Sequence, residues 1–203
     1  MSVLDLIYKL PAILLAITVH EYAHGMAADS LGDPTARAMG RLTLNPLSHL
    51  DLMGFICLFL AGFGWAKPVP VNPNYFHNPM RGMMFSSAAG PLANLSTAVA
   101  CGILFRVLAP DWDGLLAQVL ALAVFYNVAL ALFNLLPIHP LDGSHVLKGL
   151  VPPTIAMELA RYDRVMMYVL FAVITVDAIF RTRIIGHFLM TPIRKLSLII
   201  IGW

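Results

Sequence analysis

The sequence predicts an all-α polytopic membrane protein of about four to six transmembrane helices, with a short extended or re-entrant element between the first two core spans. Three observations carry this reading. Of 203 residues, 59% are apolar and 12% are Asp, Glu, Lys or Arg, where a soluble domain carries about 25% charged residues. Apolar runs of span length recur between Gly, Pro and Asn punctuation. Between the first two of them lies Pro68-Val-Pro-Val-Asn-Pro73, whose prolines forbid a helix and favour extended backbone.

The elements follow in order, within one membrane-embedded domain over residues 1–203 and no attached soluble domain. The first core span covers about 3–28 and stops at Gly32 and Pro34. Asp5 precedes Lys9 and no small-residue cleavage site follows a basic region, so this start is expected to be retained rather than removed as a signal peptide. Residues 37–50 read as loop or interfacial structure. The apolar run from Leu52 to Gly64 is short for a crossing, so about 52–75 is expected to form the re-entrant or edge-strand element; such backbone is tolerated at membrane depth only where protein or a water-filled cavity covers it. Further core spans are expected at about 82–108 and 115–136, separated by the acidic turn Pro110-Asp-Trp-Asp-Gly114. A polar loop at 137–153 leads to an additional span at about 165–180, and the tail 184–203 is left either on the membrane surface or as a weak further span.

A formal charge of +2 without a Lys/Arg run excludes a nucleic-acid partner. Cys57 and Cys101 stand alone in apolar stretches and read as free thiols. The distribution of cations is more informative. Arg37, Arg41, Lys67, Arg81, Lys148, Arg161 and Arg164 fall on one side of the expected spans, and Lys9, Arg106, Arg181 and Arg183 on the other. The richer side marks the cytoplasm. The N-terminus is then outside, and the end of the first span and the 137–153 loop lie together near the cytoplasmic face.

The first span carries the chemistry. In His20-Glu21-Tyr-Ala-His24 the two histidines are four apart, so on a helix both project from one face and can bind one ion, with the intervening glutamate as general base of a metalloprotease. Ionisable groups inside a span cost on the order of 3 kcal/mol each and persist mainly where they function. A zinc site needs a third protein ligand and an open position for water. Asp29 is the nearest carboxylate but lies about 180° around the helix from His20 and about 140° from His24. Asp51 is one candidate. Asp142 is a better one, because its proline-punctuated loop falls on the same side as the histidines.

Three motifs in order, His20-Glu21-x-x-His24, Gly90-Pro-Leu-Ala-Asn94-Leu and Asn134-x-x-Pro137-x-x-x-x-Asp142-Gly143, resemble the site-2 protease family of intramembrane zinc metalloproteases in its compact prokaryotic form without a PDZ domain. Gly62-Phe-Gly-Trp-Ala-Lys-Pro-Val-Pro-Val-Asn72-Pro is similar to the stretch that form carries between its first two core spans, and the likeness extends over about residues 10–150. The resemblance implies one Zn2+ per chain held by His20, His24 and Asp142, with Glu21 as the catalytic glutamate. It places Asn94 near the catalytic centre, where it would assist the oxyanion. It also implies an extended segment at Lys67, Val69 and Val71 that holds unwound substrate by strand addition.

Asn134 and His145 are candidates to support Asp142. Family members often have proline where this chain has His139, and a basic residue where it has His145. His139 is expected at the wet end of a helix, while the part of His145 stays open. The implied function is hydrolysis of peptide bonds in or near transmembrane segments of membrane-protein substrates, by a multi-pass protein of a prokaryotic cytoplasmic membrane. The rival is a metal-binding membrane protein without protease activity, a transporter or scaffold, which would not need Glu21. No Gly-x-Ser-Gly suggests a serine enzyme, and Ser30-Leu-Gly-Asp33 with Tyr162-Asp163 makes only a weak aspartyl pattern.

Overall fold

The computed structural model describes residues 3–61, 64–108, 114–180, 182 and 184–202. Most of the expected acidic turn, through Asp111 and Asp113, and also Gly62, Phe63, Arg181 and Arg183, lie outside the described residues. The helices are α1 (Val3–Ser30), α2 (Thr35–Ala38), α3 (Leu52–Ala61), α4 (Pro79–Leu108), α5 (Leu115–Asn134), α6 (Asp142–Leu150), α7 (Pro153–Arg161), α8 (Asp163–Phe180) and α9 (Ile184–Ile201). Short 3-10 turns at Pro46–His49 and Pro73–Tyr75 are capped by the side chains of Asn45 and Asn72.

The centre is the mutual packing of α1, α4 and α5, with α9 laid across α4 and α5 and α6 against α4. Small residues let these helices approach: Ala12 and Ala16 on α1, Ala98 on α4, and Ala117, Ala123 and Ala131 on α5 are all buried. At Gly102 a Cβ would stand 2.4 Å from Ile200 Cγ2, so only glycine admits α9 this closely. Arg106 then donates to the carbonyls of Ile199, Ile200 and Ile201, satisfying the C-terminal end of α9. On the other side, α8 packs Leu170 and Ile174 against Leu141, Phe133 and Leu136.

α1 ends in a Schellman turn. Gly32 sits at φ 104°, Asp33 N–H bonds Ala28 C=O and Gly32 N–H bonds Asp29 C=O. The turn buries Asp33, which accepts from the Thr35 amide and hydroxyl and from the Asn72 amide. The helix that carries His20 and His24 is thereby tied to the proline-rich segment.

Two expectations need correcting. Residues 52–61 are helical rather than edge strand, a short apolar run being ambiguous between the two. Among the described residues there is no strand; Leu50 and Ala66 form a single antiparallel bridge, beside which Lys67 N–H bonds His49 C=O. The stretch 137–153 is not all loop, since α6 occupies most of it. The tail, left open between the membrane surface and a weak further span, is helical as α9 and packs on α4 and α5.

Candidate metal centre and active site

His20 and His24, one turn apart on α1, project between α4 and the start of α6, where Asp142 is the first helical residue. Their Nε2 atoms are 3.0 Å apart, and Asp142 Oδ2 lies 3.1 Å from His20 Nε2 and 3.3 Å from His24 Nε2. Donors bound about 2.0–2.1 Å from a tetrahedral zinc are separated by about 3.3 Å, so the spacing suits one such ion.

The proton inventory agrees. His20 Nδ1 lies 2.6 Å from Asn94 Oδ1 and His24 Nδ1 lies 2.7 Å from Ser86 C=O. Both oxygens only accept, so each Nδ1 carries a hydrogen and, in the neutral ring, each Nε2 presents a lone pair. Two imidazole lone pairs and a carboxylate oxygen then face one another in a buried space, and Asp142 Oδ2 has no hydrogen-bond donor of its own. A cation among them relieves that repulsion. His20, His24 and Asp142 form the one group of this kind among the described residues.

The neighbouring backbone is shaped for the trio. A Cβ on Gly90 would lie 2.5 Å from His24 Nε2 and 2.8 Å from His20 Cε1, and one on Gly143 would lie 2.3 Å from Leu135 C=O. Glycine at both positions lets α4 pass behind the imidazoles and lets α6 begin close under the end of α5. Pro91 removes one ladder bond of α4 beside the turn whose Ser86 carbonyl accepts from His24.

Glu21 accepts from Val69 N–H at 2.7 Å through Oε2. It lines, with His20, a largely apolar cavity of about 760 Å³ whose wall includes Trp65, Ala66, Tyr126, Asn134 and Leu170. The structure thus brings together His20, Glu21, His24 and Asp142, with Asn94 directly behind His20.

Asn94 differs from expectation in how it is used. Its Nδ2 donates to Ala16 C=O at 2.9 Å and to Asn127 Oδ1 at 2.8 Å. Both amide hydrogens are engaged, which leaves none for an oxyanion. Asn134 lines the cavity and donates to Leu130 C=O in its own helix rather than to Asp142.

Lys67, Val69 and Val71 are not part of the cavity wall. Lys67 N–H bonds His49 C=O, its own carbonyl accepts from Arg41, and the Val69 side chain is buried against α1 near Gly25. His145 packs edge-on against His139 with centroids 6.0 Å apart; burial, with Lys148 and His139 nearby, lowers its pKa. His139 lies 3.9 Å from Asp163, which is paired with Lys148. Asp29 pairs with Arg37, and Asp51 accepts from Gly54 N–H at the start of α3, so neither reaches the histidines. Sequence reasoning missed Ser86, which acts through its carbonyl, and Asn127, whose signal was an amide inside an apolar run.

α4 and α5 are long and apolar enough to cross a membrane by length and composition. Comparison with known proteins gives the family. The profile described as "Peptidase family M50" matches residues 109–176. YwhC of Bacillus subtilis, named provisionally as a zinc metalloprotease, is 39% identical over 174 residues, covering 81% of this chain and 80% of its own. Rip2 of Mycobacterium tuberculosis, named in the same way, is 30% identical over 175 residues, covering 82% and 67% respectively. No solved structure matches significantly. With His20, His24 and Asp142 converging beside Glu21 and relatives aligned over four fifths of the chain, the protein belongs to peptidase family M50, the site-2 protease family of zinc-dependent membrane metalloendopeptidases.

Proposed function

We propose that this zinc metalloprotease cleaves peptide bonds in or near transmembrane segments of membrane-protein substrates, with His20, His24 and Asp142 holding the ion and Glu21 serving as general base. The observation that supports this most is the convergence of two imidazole Nε2 atoms and a carboxylate oxygen within 3.3 Å beside a carboxylate that borders an apolar cavity. When bound, the ion supplies Lewis acidity, polarising a carbonyl and making a water acidic enough to act near neutral pH.

The chain's own groups do the rest. Glu21 takes the proton of the attacking water and passes it to the leaving amine nitrogen. Val69 N–H fixes the carboxylate through Oε2. Asn94 acts through His20 rather than on the substrate. The apolar wall excludes bulk water and accepts a chain unwound from its helix, with Trp65 and Ala66 beside the scissile region. Lys67 and Val69 are held by backbone bonds to His49 and Glu21 next to Trp65 and Ala66.

We infer a single membrane-embedded domain in which α1, α4 and α5 span the bilayer and, because the C-terminal carbonyls of α9 meet Arg106 at the outer end of α4, α8 and α9 between them make one further crossing. Either helix, of 18 residues, reaches about 27 Å, close to the hydrocarbon thickness of about 30 Å. Exposed Val99, Ile103 and Val107 on α4, with Val165, Val169 and Ile179 on α8, give these helices faces suited to lipid. The cation distribution supports a cytoplasmic membrane with the active site toward the cytoplasm. A cysteine introduced at exposed Met39 tests this: labelling from the outer side alone would reverse the orientation.

Reconstitution with a single-span substrate tests the function. Wild type is expected to cleave it and Glu21→Gln to lose cleavage while keeping zinc. Equal cleavage by the two would remove Glu21 from the mechanism, and metal transport without any cleavage would favour the transporter reading.

A further inference from the structure

A second amide lies behind the one that faces His20. Asn127 of α5 is fully buried in an apolar helix, as is Asn94 of α4. Burying an amide is costly unless its polar atoms are paired, and both amides are paired in one direction. Asn127 Nδ2 donates to Ala123 C=O at 2.8 Å, so Asn127 Oδ1 is the atom turned toward α4. That oxygen accepts from Asn94 Nδ2, which also donates to Ala16 C=O. With two acceptors holding Asn94 Nδ2, Asn94 Oδ1 is the end presented to His20 Nδ1. His20 therefore carries its hydrogen on Nδ1 and its lone pair on Nε2, toward His24 and Asp142.

We propose that Asn127 is a positioning residue for the metal centre, setting through Asn94 the tautomer and ring orientation in which His20 can be a ligand. Without the Asn127 acceptor, Asn94 is held by Ala16 C=O alone and its amide can turn over. The NH2 group would then face His20 Nδ1, draw the imidazole hydrogen to Nε2 and block the donor atom. The chain of contacts links α5 to α1 through α4, so the helix that leads into the Asp142 segment also sets the histidine opposite it. This inference rests on the reading of His20 as a zinc ligand.

The test uses full-length protein in detergent, with zinc affinity measured by competition against a chromophoric chelator. Changes behind a metal ligand typically cost 10–100-fold in affinity, so Asn127→Leu is expected to bind zinc about 10–100-fold more weakly while its metal-free form melts no lower than wild type. Asn127→Asp, kept protonated by burial, can still donate to Ala123 C=O and accept from Asn94, and is expected to restore most of the affinity. Asn127→Ala is read in parallel, so that misfolding of one variant leaves the other. Removing Asn127 in an Asn94→Leu background should cost nothing further, because the two act in series. Wild-type zinc affinity in both Asn127→Leu and Asn127→Ala, or equal losses in Asn127→Leu and Asn127→Asp, would overturn the proposal. Wild-type affinity in His20→Ala would overturn the ligand reading and this inference with it.

Discussion

Val69 donates its backbone N–H to Glu21 Oε2 at 2.7 Å, across 48 residues of sequence. A carboxylate that shuttles a proton works best when its orientation is set beforehand, and hydrogen bonds to charged groups contribute about 1.5–3 kcal/mol. Val69→Pro removes the donor in a segment already flanked by Pro68 and Pro70. Turnover is expected to fall about tenfold or more with zinc content unchanged. Parallel measurement of kcat and bound metal checks this, and undiminished kcat would make the contact incidental.

Asp142→Asn keeps the shape of the side chain but removes the negative charge from the trio it forms with His20 and His24. Zinc retention after dialysis is expected to fall by about two orders of magnitude or more, with activity lost in step. Metal content and cleavage read on the same samples decide it; full retention of zinc by Asp142→Asn would remove it from the ligand set.

Gly90→Ala improves intrinsic helix propensity by about 1 kcal/mol yet places a methyl 2.5 Å from His24 Nε2. Separation of the two effects is expected: α4 remains intact by circular dichroism while zinc affinity drops at least about tenfold. Unchanged affinity would mean that the imidazoles relax freely around the new methyl.

Asp33 contributes a pH dependence away from the membrane spans. Burial works to raise its pKa, but the hydrogen bonds from Thr35 and the Asn72 amide prevail and hold it below 3.8. A carboxylate whose folded pKa lies below its unfolded value stabilises fully above the unfolded value and loses that contribution as pH falls toward the folded one. Thermal stability should therefore decline as pH drops below about 4, and Asp33→Asn should be less stable at neutral pH and flatter through that window. Melting curves from pH 7 to pH 3 test it, and parallel curves for the two proteins would rule it out.

What could be read from the sequence follows the range of the interactions. His20 and His24 were legible because helical periodicity alone puts residues four apart on one face. Asp142 lies 122 positions from His20 and was reached only through the sidedness of the chain and family likeness. Asn94 was found, but the direction of its amide was not, since that depends on partners in other helices, here Ala16 and Asn127. Ser86 offers a carbonyl, which every residue has, so no side-chain pattern could name it. α6 was missed because Gly143, Ser144 and Gly149 resemble loop composition, whereas Gly143 is there to clear the Leu135 carbonyl. Arg106, counted as a cation on one face of the membrane, in fact closes the end of α9.

Each imidazole of the proposed zinc centre is held from behind, His20 by an amide oxygen and His24 by a main-chain carbonyl. Neither ring can swing out of the ligand position without breaking that rear bond, which is buried for His20 and part-buried for His24. Departure of the ion then depends on how often a helix contact opens, and less on how strongly any one donor binds. The centre should behave as a kinetic trap, exchanging metal slowly with its surroundings and holding its ion through changes in free zinc that a site on a mobile loop would follow.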